Sequence, residues 1–310
     1  MSDTFADTEL ETFIREFYAR GVTSAADTGA DALRAGTVQR AKERPKGPEL
    51  HQVTNVILKG RGPAVRIYRS TPDPTGVVVY FHGGGWTIGD LDTHDRACRR
   101  LCETSGVVIV AVDYRRAPEH PWPAAVDDGI AVIEWIATKP NELGLINGLV
   151  GVAGDSAGGL LAALVSHRLR DQAPTLLPTA QFLIYANTDL TNSGASMTTE
   201  GHGFGLEVAD IEWFNEQWVP DQSMWTDPRV SPLFEPVLTG LPPTVVVTCE
   251  HDPLRDQGEQ YAKRLTQAGV PVVLRREPGM VHNFMLWDLI SPACAAASDR
   301  VAHDIAGQLS

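Results

Sequence analysis

The segment Gly-Asp-Ser-Ala-Gly at 154–158 places a serine at the centre of a G-x-S-x-G pattern. An apolar stretch at 149–153 precedes it, and a stretch rich in Ala and Leu at 159–170 follows. This strand–turn–helix context is typical of a nucleophile elbow, a tight turn that exposes the serine hydroxyl at the carboxyl edge of a sheet. A phosphate loop would need G-K-S/T, and neither that pattern nor the G-x-G-x-x-G fingerprint is met. We therefore predict that Ser156 is a nucleophile.

A serine hydroxyl is a weak nucleophile, so it needs a nearby base that a third group orients. Nine histidines are available, and those at predicted strand ends are His82, His251 and His282. We favour His282, because it follows the last predicted strand in a short loop at the same sheet edge as Ser156, where catalytic side chains collect. The Pro-Gly pair at 278–279 is predicted to make the turn that carries His282 back over the sheet.

A carboxylate that follows a strand is expected to orient this histidine. The candidates are Asp189, Asp252 and Asp256. Asp252 ranks first because the chain order Ser156, Asp252, His282 matches the α/β-hydrolase order of serine, acid and histidine. An aspartate followed by proline, as at Asp252 and Pro253, is also typical of a helix start. The other two aspartates therefore remain alternatives.

Three glycines follow the β-prone run at 77–81, separated from it by one histidine. Acyl transfer places a negative charge on the former carbonyl oxygen, and each backbone N–H aimed at that oxygen contributes about 10² to 10³ in rate. Glycines permit this approach because no Cβ stands in the way. The residue after the nucleophile supplies a further N–H. The predicted oxyanion donors are Gly83, Gly84, Gly85 and Ala157, with Gly84 and Gly85 favoured and Gly83 making the turn. His82 is expected to tie this loop down by a hydrogen bond.

Short apolar segments alternate with helical segments along most of the chain. The β-prone segments lie at 53–58, 64–69, 77–81, 107–112, 149–153, 180–185, 244–249 and 270–277. The alternation predicts an α/β fold class, with a mostly parallel eight-stranded sheet covered by helices on both faces. The first two segments flank Lys-Gly-Arg-Gly-Pro, which predicts a hairpin that adds an antiparallel edge.

Two parts of the chain lie outside this alternation. Residues 8–20 predict an amphipathic helix, and the polar residues 24–50 predict at best a helix followed by a linker. The segment 187–241 carries several aromatic side chains, namely Phe204, Trp213, Phe214 and Trp218. We predict a small helical cap built from residues 1–50 and 187–241, on an α/β-hydrolase core formed by 51–186 and 242–310.

Composition narrows the classes of partner. The 310-residue chain has a formal net charge of −13, which disfavours nucleic acid as a partner because that requires clustered Lys and Arg. The acidic start of the chain predicts no signal peptide, and no apolar segment approaches membrane-spanning length. The four cysteines form no C-x-x-C pair, so we expect reduced thiols in a cytoplasmic protein. Without a metal-binding motif, we expect neither a metal nor an organic cofactor.

Six motifs, in order along the chain, resemble the hormone-sensitive-lipase-like family of α/β-hydrolases, the bacterial carboxylesterases. They are HGGGW at 82–86, DYRRAPEHPWPAA at 113–125, GDSAGG at 154–159, DPRVSPL at 227–233, GLPPTVVVTCEHDPLRDQGEQYAKRL at 240–265 and PGMVHNF at 278–284. The resemblance implies a hydrolase of small-molecule esters. It further implies a catalytic triad of Ser156, Asp252 and His282. The oxyanion donors that it implies are Gly84, Gly85 and Ala157.

The chain departs from the family pattern at three positions, none of which belongs to the predicted triad. Leu160 stands where Asn is common, Arg116 stands where Leu is common, and Asn283 stands where Gly is common. Asn283 follows the predicted base, so this departure bears on how the histidine loop packs.

The predicted activity is hydrolysis of short-to-medium acyl esters through an acyl-enzyme intermediate. An amidase or an acyltransferase that uses the same triad is an alternative, and so is a non-catalytic receptor for a small ligand on the same scaffold. Retention of all three triad residues argues against the receptor. An exposed last strand also offers a surface for a homodimer.

Overall fold

The architecture is that of a computed structural model, which describes residues 4–60, 62–138, 143 and 148–309. Its strands are β1 (Gln52–Ile57), β2 (Ala64–Arg69), β3 (Val77–Phe81), β4 (Val108–Asp113), β5 (Val150–Asp155), β6 (Ala180–Ile184), β7 (Thr244–His251) and β8 (Val272–Val281). They form one eight-stranded sheet in the order β1-β2-β4-β3-β5-β6-β7-β8. The predicted α/β sheet is confirmed.

The direction of the strands brings several loops to one edge of the sheet. β1 pairs antiparallel with β2, and β2 pairs antiparallel with β4, so the predicted antiparallel hairpin is also confirmed. From β4 across to β8, every neighbouring pair is parallel. Because parallel strands end at the same edge, the segments that follow β3, β5, β7 and β8 meet there.

The helices are α1 (Thr8–Ala19), α2 (Ala25–Thr28), α3 (Ala30–Glu43), α4 (Asp95–Ser105), α5 (Ala124–Thr138), α6 (Ala157–Gln172), α7 (Ser196–Thr199), α8 (Val208–Trp218), α9 (Arg255–Gln267) and α10 (Pro292–Leu309). α5, α6 and α9 cover one face of the sheet, and α4 and α10 cover the other. Within the described ranges, no helix is long and apolar enough to cross a membrane.

Side chains of β3 show how the sheet joins the two apolar clusters. Val77, Val79 and Phe81 belong to the cluster on the α6 side. Val78 and Tyr80, which alternate with them, belong to the cluster on the α10 side. This alternation follows from the two-residue period of a strand, and it explains why a strand buried on both faces is apolar throughout.

The N-terminal helices contact the segment between β6 and β7. Tyr18 at the end of α1 donates a hydrogen bond to Glu207, which precedes α8. The N–H of Ala25 in α2 donates to Asp210 Oδ1 over 2.7 Å. α1 buries Leu10 and leaves Phe17 exposed. These contacts are those expected of a two-part cap, and the division of the chain into cap and core stays a prediction.

The polar region at 24–50 contains two helices, α2 and α3. α3 fully buries none of its residues, and its apolar side chains Leu33 and Val38 are half-buried. Arg34 adds polar contacts: its guanidinium donates to the carbonyls of Thr87 at 2.8 Å and Ala117 at 2.7 Å, and to Glu119 at 2.6 Å. A single arginine thus attaches α3 to the segment that follows the glycine loop.

The last strand extends beyond its predicted end. β8 continues to Val281, so the pair at 278–279 lies within the strand, and the predicted turn there is wrong. Gly279 adopts a φ of +63°, and the pairing of β8 with β7 shifts its register nearby. A residue with positive φ and a register shift bend a strand without ending it. His282 therefore follows the strand end directly.

Candidate active site

Ser156 lies between the end of β5 and the start of α6 and adopts φ +55° and ψ −121°. This backbone conformation is rare for a residue with a side chain, and such residues cost on the order of 1–3 kcal/mol. The flanking glycines make the turn sterically feasible. A Cβ at Gly154 would lie 2.2 Å from the Gly158 backbone, and one at Gly158 would lie 2.0 Å from the Phe81 carbonyl oxygen. The sharp turn projects the serine hydroxyl from the sheet edge.

Three side chains from three loops form a hydrogen-bonded relay. His282 Nε2 lies 2.9 Å from Ser156 Oγ, and His282 Nδ1 lies 2.8 Å from Asp252 Oδ2. A carboxylate accepts only, so Nδ1 carries the proton and Nε2 is left to accept from the serine hydroxyl. Both His282 and Asp252 are buried. This arrangement can remove the hydroxyl proton and stabilise the imidazolium that results.

Asp252 is positioned by its own turn after β7. Its Oδ1 accepts from the N–H of Leu254 over 2.8 Å, and its carbonyl accepts from the N–H of Arg255 over 3.1 Å. α9 begins at Arg255, two residues later than a cap at Asp252 would require. The carboxylate therefore divides its two oxygens between the local turn and His282, so the Asp-Pro pair serves both the turn and the histidine.

The two alternative aspartates bond elsewhere. Asp189 Oδ1 accepts from the N–H and hydroxyl of Thr191, and its Oδ2 accepts from the Ser193 hydroxyl. Asp256 accepts from the N–H of Ser196 over 2.9 Å. Asp189 therefore stabilises the turn that follows β6, Asp256 connects α9 to the start of α7, and neither hydrogen-bonds His282.

His282 is oriented by its neighbours on both sides. The ring of Tyr185 packs against it edge-on, with centroids 4.7 Å apart. Asn283 adopts the left-handed conformation with a φ of +66°. Asn tolerates this region better than other residues with a Cβ. Asn283, which stands where the family commonly has Gly, therefore still allows the left-handed turn that follows His282.

The two other strand-end histidines have structural partners. His82 stacks on Tyr114 with ring centroids 4.2 Å apart, and its Nδ1 lies 2.8 Å from the Gly83 carbonyl oxygen. Burial, together with the nearby His94, lowers the pKa of His82 to about 3, so its ring is neutral. His251 lies between Glu200 and the N-terminal segment. The expectation that His82 ties down its loop agrees with these contacts.

The glycine loop departs from its prediction at one residue. The N–H of Gly83 donates to Asp155 Oδ1 over 2.9 Å, so it is already committed and does not belong among the oxyanion donors. Gly84 and Gly85 adopt positive φ values of +114° and +54°. Among the described residues, nothing accepts a hydrogen bond from the N–H of Gly84, Gly85 or Ala157. Three unpartnered donors therefore remain beside the nucleophile turn.

Asp155 is a residue that the sequence did not single out. Besides Gly83, its buried carboxylate accepts from the Tyr80 hydroxyl over 2.7 Å, and its Oδ2 lies 3.6 Å from His94 Nε2. Burial alone would raise the pKa of Asp155, but His94 and the Tyr80 hydroxyl outweigh it and hold the pKa below its usual range. The carboxylate stays charged and joins the nucleophile turn to the glycine loop.

Cap aromatics differ in what they contact. Trp218 is buried and stacks on Trp86 with centroids 4.2 Å apart, so it belongs to the core. Phe204 stacks on His251 at 4.6 Å. Phe214 is half-buried and lies directly over the glycine loop, because a Cβ built on Gly85 would come within 2.2 Å of its ring. Phe214 is thus the aromatic residue of the predicted cap that lies against the glycine loop.

Comparison with known proteins identifies the family of this chain. The alpha/beta hydrolase fold family matches residues 78–286. The carboxylic ester hydrolase LipN of Mycobacterium tuberculosis is 41% identical, over 86% of this chain and 74% of its own. An ethyl acetate hydrolase of Pseudomonas putida is 38% identical over 71% of each chain. An arylesterase of Saccharolobus solfataricus is 33% identical over 90% of this chain and 92% of its own.

Solved structures give the same assignment. A thermostable esterase from Pseudomonas putida superposes with a TM-score of 0.91 at 30% identity, covering 98% of each chain. A hyperthermophilic esterase from Pyrobaculum calidifontis superposes with a TM-score of 0.91 at 34% identity, also over 98% of each chain. Family match, curated relatives and solved structures agree, and the chain belongs to the hormone-sensitive-lipase-like family of α/β-hydrolases, as its motifs predicted.

Proposed function

We propose that this protein is a serine carboxylesterase that hydrolyses esters with short-to-medium acyl chains through an acyl-enzyme. The observation that carries the proposal is the relay from Asp252 through His282 to Ser156, with hydrogen bonds of 2.8 Å and 2.9 Å. Unpartnered N–H groups lie beside it. Its matched relatives are named carboxylic ester hydrolase, ethyl acetate hydrolase and arylesterase.

In the first step, Ser156 Oγ attacks the ester carbonyl carbon while His282 Nε2 takes the hydroxyl proton. The carbonyl oxygen becomes an oxyanion that the N–H groups of Gly84, Gly85 and Ala157 stabilise. Asp252 stabilises the imidazolium without taking its proton. When the tetrahedral intermediate collapses, His282 gives the proton to the leaving alkoxide, and the alcohol departs.

In the second step, water attacks the acyl-enzyme along the same route. His282 Nε2 takes a proton from the water, the oxyanion forms again at the glycine loop, and Ser156 leaves as the protonated alcohol. The carboxylic acid is released, and the chain returns to its starting protonation state. No step calls for a metal or an organic cofactor.

Short-to-medium acyl chains are proposed because Phe214 lies over Gly85. A ring placed beside the oxyanion donors narrows the space next to the reacting carbonyl. The ring is half-buried and packs edge-on against Trp213, with ring centroids 5.1 Å apart. A packed aromatic wall of this kind discriminates against bulk near the ester.

The experiment that tests the function is turnover of p-nitrophenyl butyrate by Ser156→Ala, with Ser223→Ala as control. Ser223 is an exposed serine whose hydroxyl bonds only Asp221, so its loss should leave the rate unchanged. Ser156→Ala should abolish turnover and also abolish covalent labelling by a fluorophosphonate. Turnover by Ser156→Ala near that of the wild type would refute the proposal.

The same assays separate the alternative functions. A receptor should neither label with the fluorophosphonate nor turn over any ester. An amidase should cleave p-nitroanilides faster than matched p-nitrophenyl esters, and an acyltransferase should form alkyl ester when an alcohol is added. Retention of the complete relay in one hydrogen-bonded geometry supports the hydrolase over the receptor.

We further propose a cytoplasmic location and a homodimer formed through β8. All four cysteines are buried free thiols, which supports a reducing compartment. β8 lies at the end of the sheet, and Val273 and Leu274 on it are each 47% exposed. An uncovered edge strand of this kind can pair with a second copy. Light scattering after gel filtration tests the dimer, and a monomer mass at micromolar concentration would exclude it.

A further inference from the structure

A second cleft, of about 530 Å³, lies outside the catalytic relay. It is bounded by the segment that follows α3, by β1 and β2, by the start of α4, and by Met285 and Leu286. The cationic residues that line it are Lys42, Arg44, Lys46, Arg66, Arg96 and Arg99. Only three carboxylates line it, those of Asp92, Asp95 and Asp288. Cations therefore outnumber carboxylates here, in a chain whose net charge is −13.

The carboxylates of this cleft are already paired. Asp92 and Asp95 lie 2.9 Å and 3.0 Å from the guanidinium of Arg66, and Asp95 also pairs with Arg99. Asp288 accepts from Arg96 over 2.9 Å. Three other cations, Lys42, Arg44 and Lys46, have no carboxylate within 4.0 Å in the described part of the chain. The positive charge of the cleft is therefore concentrated on the last turn of α3 and on the segment that follows it.

Arg44 is the cation that most needs a counter-ion. Its guanidinium is half-buried, and its hydrogen bond goes from Nη1 to the Leu286 carbonyl over 2.9 Å. Burial, and then the neighbouring charges of Arg40 and Arg96, lower its pKa, and the carboxylate of Asp288, which lies beyond ion-pair distance, opposes them only in part. Withdrawing a guanidinium from water without a carboxylate partner is unfavourable, and an anion bound beside it would relieve that penalty.

The segment that carries Arg44 and Lys46 is held in place before any ligand arrives. Arg96 on α4 donates from Nη1 to the carbonyls of Pro45 at 3.3 Å and Lys46 at 3.2 Å. Arg99 donates to the Pro48 carbonyl over 3.2 Å. Two arginines of one helix thus anchor the backbone around Arg44. A backbone fixed in this way loses little conformational freedom when a ligand binds beside it.

We propose that this cleft is a binding site for a small phosphate-bearing anion, held by Arg44 with Lys42 and Lys46. An arginine fork matches the geometry of phosphate oxygens, and the two flexible lysines on either side add point charges. The cleft has room for a molecule larger than phosphate itself. The site is independent of ester hydrolysis, because no residue of the catalytic relay lines it.

The test is isothermal titration calorimetry with inorganic phosphate and with glycerol 3-phosphate, at constant ionic strength set by sodium chloride. The wild type should bind one equivalent. Arg44→Gln should weaken binding by at least about tenfold, because it removes a charge-assisted hydrogen bond. Arg20→Gln is the matched control. Arg20 is the exposed residue that directly follows α1, and it pairs with Glu16, so its replacement should leave binding unchanged.

A second variant keeps the test decisive if Arg44→Gln unfolds. The double substitution Lys42→Gln and Lys46→Gln changes two exposed side chains, and it should also weaken binding. Pelleting with vesicles that contain phosphatidic acid distinguishes the source of the phosphate: binding of glycerol 3-phosphate in solution assigns a free metabolite, and binding to vesicles alone assigns a lipid headgroup. Absence of binding to every probe, or equal binding by the wild type and both variants, would overturn the proposal.

Discussion

Asp155 and Gly83 are joined by a hydrogen bond of 2.9 Å from the glycine N–H to the carboxylate. The bond connects two loops that are distant in the sequence, the nucleophile turn and the glycine loop. Because Asp155 directly precedes Ser156, the position of the nucleophile and the position of the oxyanion donors depend on each other. A carboxylate that touches no substrate thereby positions both parts of the predicted site.

Replacing Asp155 by Asn should impair catalysis and stability together. The amide retains one acceptor oxygen but loses the charge that faces His94, and it places N–H donors where Asp155 Oδ2 now lies. We expect kcat to fall about 10²-fold as the glycine donors shift, and the free energy of unfolding to fall by about 2–4 kcal/mol. Initial rates and urea unfolding measure the two effects.

The control for that substitution is Asp171→Asn. Asp171 is an exposed carboxylate in the last turn of α6, at the opposite end of that helix from Ser156, and it is paired with its neighbour Arg170. Its replacement should leave both kcat and the free energy of unfolding within error of the wild type. A variant Asp155→Asn with unchanged kcat would contradict the positioning role.

Replacing Gly84 or Gly85 by Ala should abolish most activity, because the added Cβ collides with a neighbouring group. The two groups differ, and a second substitution can remove only one of them. At Gly85, a Cβ would lie 2.2 Å from the ring of Phe214, a side chain that can be removed. At Gly84, a Cβ would lie 2.4 Å from the Ile88 carbonyl oxygen, which is backbone and cannot be removed. Phe214→Gly should therefore restore part of the activity lost in Gly85→Ala and none of that lost in Gly84→Ala.

A double-mutant cycle on kcat/KM measures this difference. Each double variant is compared with Phe214→Gly alone, because a glycine within α8 weakens that helix by roughly 1 kcal/mol. Equal rescue of both glycine variants would show that Phe214 does not contact the loop as the structure places it.

The separation of Gly83 from Gly84 and Gly85 shows where sequence reasoning ends. Three consecutive glycines predict a loop that a substrate can approach closely. Only the direction of the folded backbone decides which of the three N–H groups is free to donate to an oxyanion. Asp155 was hidden for a related reason: it occupies the variable place of G-x-S-x-G, and its partners Tyr80, Gly83 and His94 come from other segments. A pattern of spacing cannot report contacts that the fold creates.

The order and edge positions of Ser156, Asp252 and His282 could be predicted, because each comes shortly after a parallel strand, although the sequence did not mark where β8 ends. The wrong turn at 278–279 has a physical cause. A Pro-Gly pair usually ends a strand that has no neighbour beyond it. Here β7 continues beside β8, and the pairing resumes after a register shift, so the strand bends and goes on. Local turn chemistry was overridden by strand pairing with a distant segment.

Phe214→Ala should shift acyl preference toward longer chains. The ring lies over Gly85 and is half-buried, so its removal opens space beside the reacting carbonyl. We expect the ratio of kcat/KM for p-nitrophenyl octanoate to that for the butyrate to rise about tenfold. Phe17→Ala is the control, since Phe17 is a phenylalanine of α1 that is 37% exposed and is not among the nearest neighbours of Gly85. A shift of the same size in both variants would contradict a specific role of Phe214.

Stability should fall as the pH drops below about 6.5, because two histidines are held neutral in the fold. Burial first, and then His94 in one case and Arg170 in the other, lower the pKa of His82 and of His167 to about 3. In the unfolded chain both pKa values return to about 6.5. Between these limits only the unfolded state takes up the protons, so the contribution is fully present above pH 6.5 and is lost progressively toward pH 3.

Each of these histidines contributes a slope of about 1.4 kcal/mol per pH unit to the free energy of unfolding in that window. His167→Gln should remove about half of the combined slope, while its hydrogen-bond partner Tyr261 retains an acceptor or donor in the amide. His303→Gln is the control and should leave the slope unchanged, because His303 is an exposed side chain of α10 that has no hydrogen-bond or ion-pair partner in the described part of the chain. Urea unfolding between pH 5 and pH 6.5, above the range where carboxylates titrate, measures the slopes. A slope in His167→Gln equal to that of the wild type would show that His167 gains a proton in the folded state.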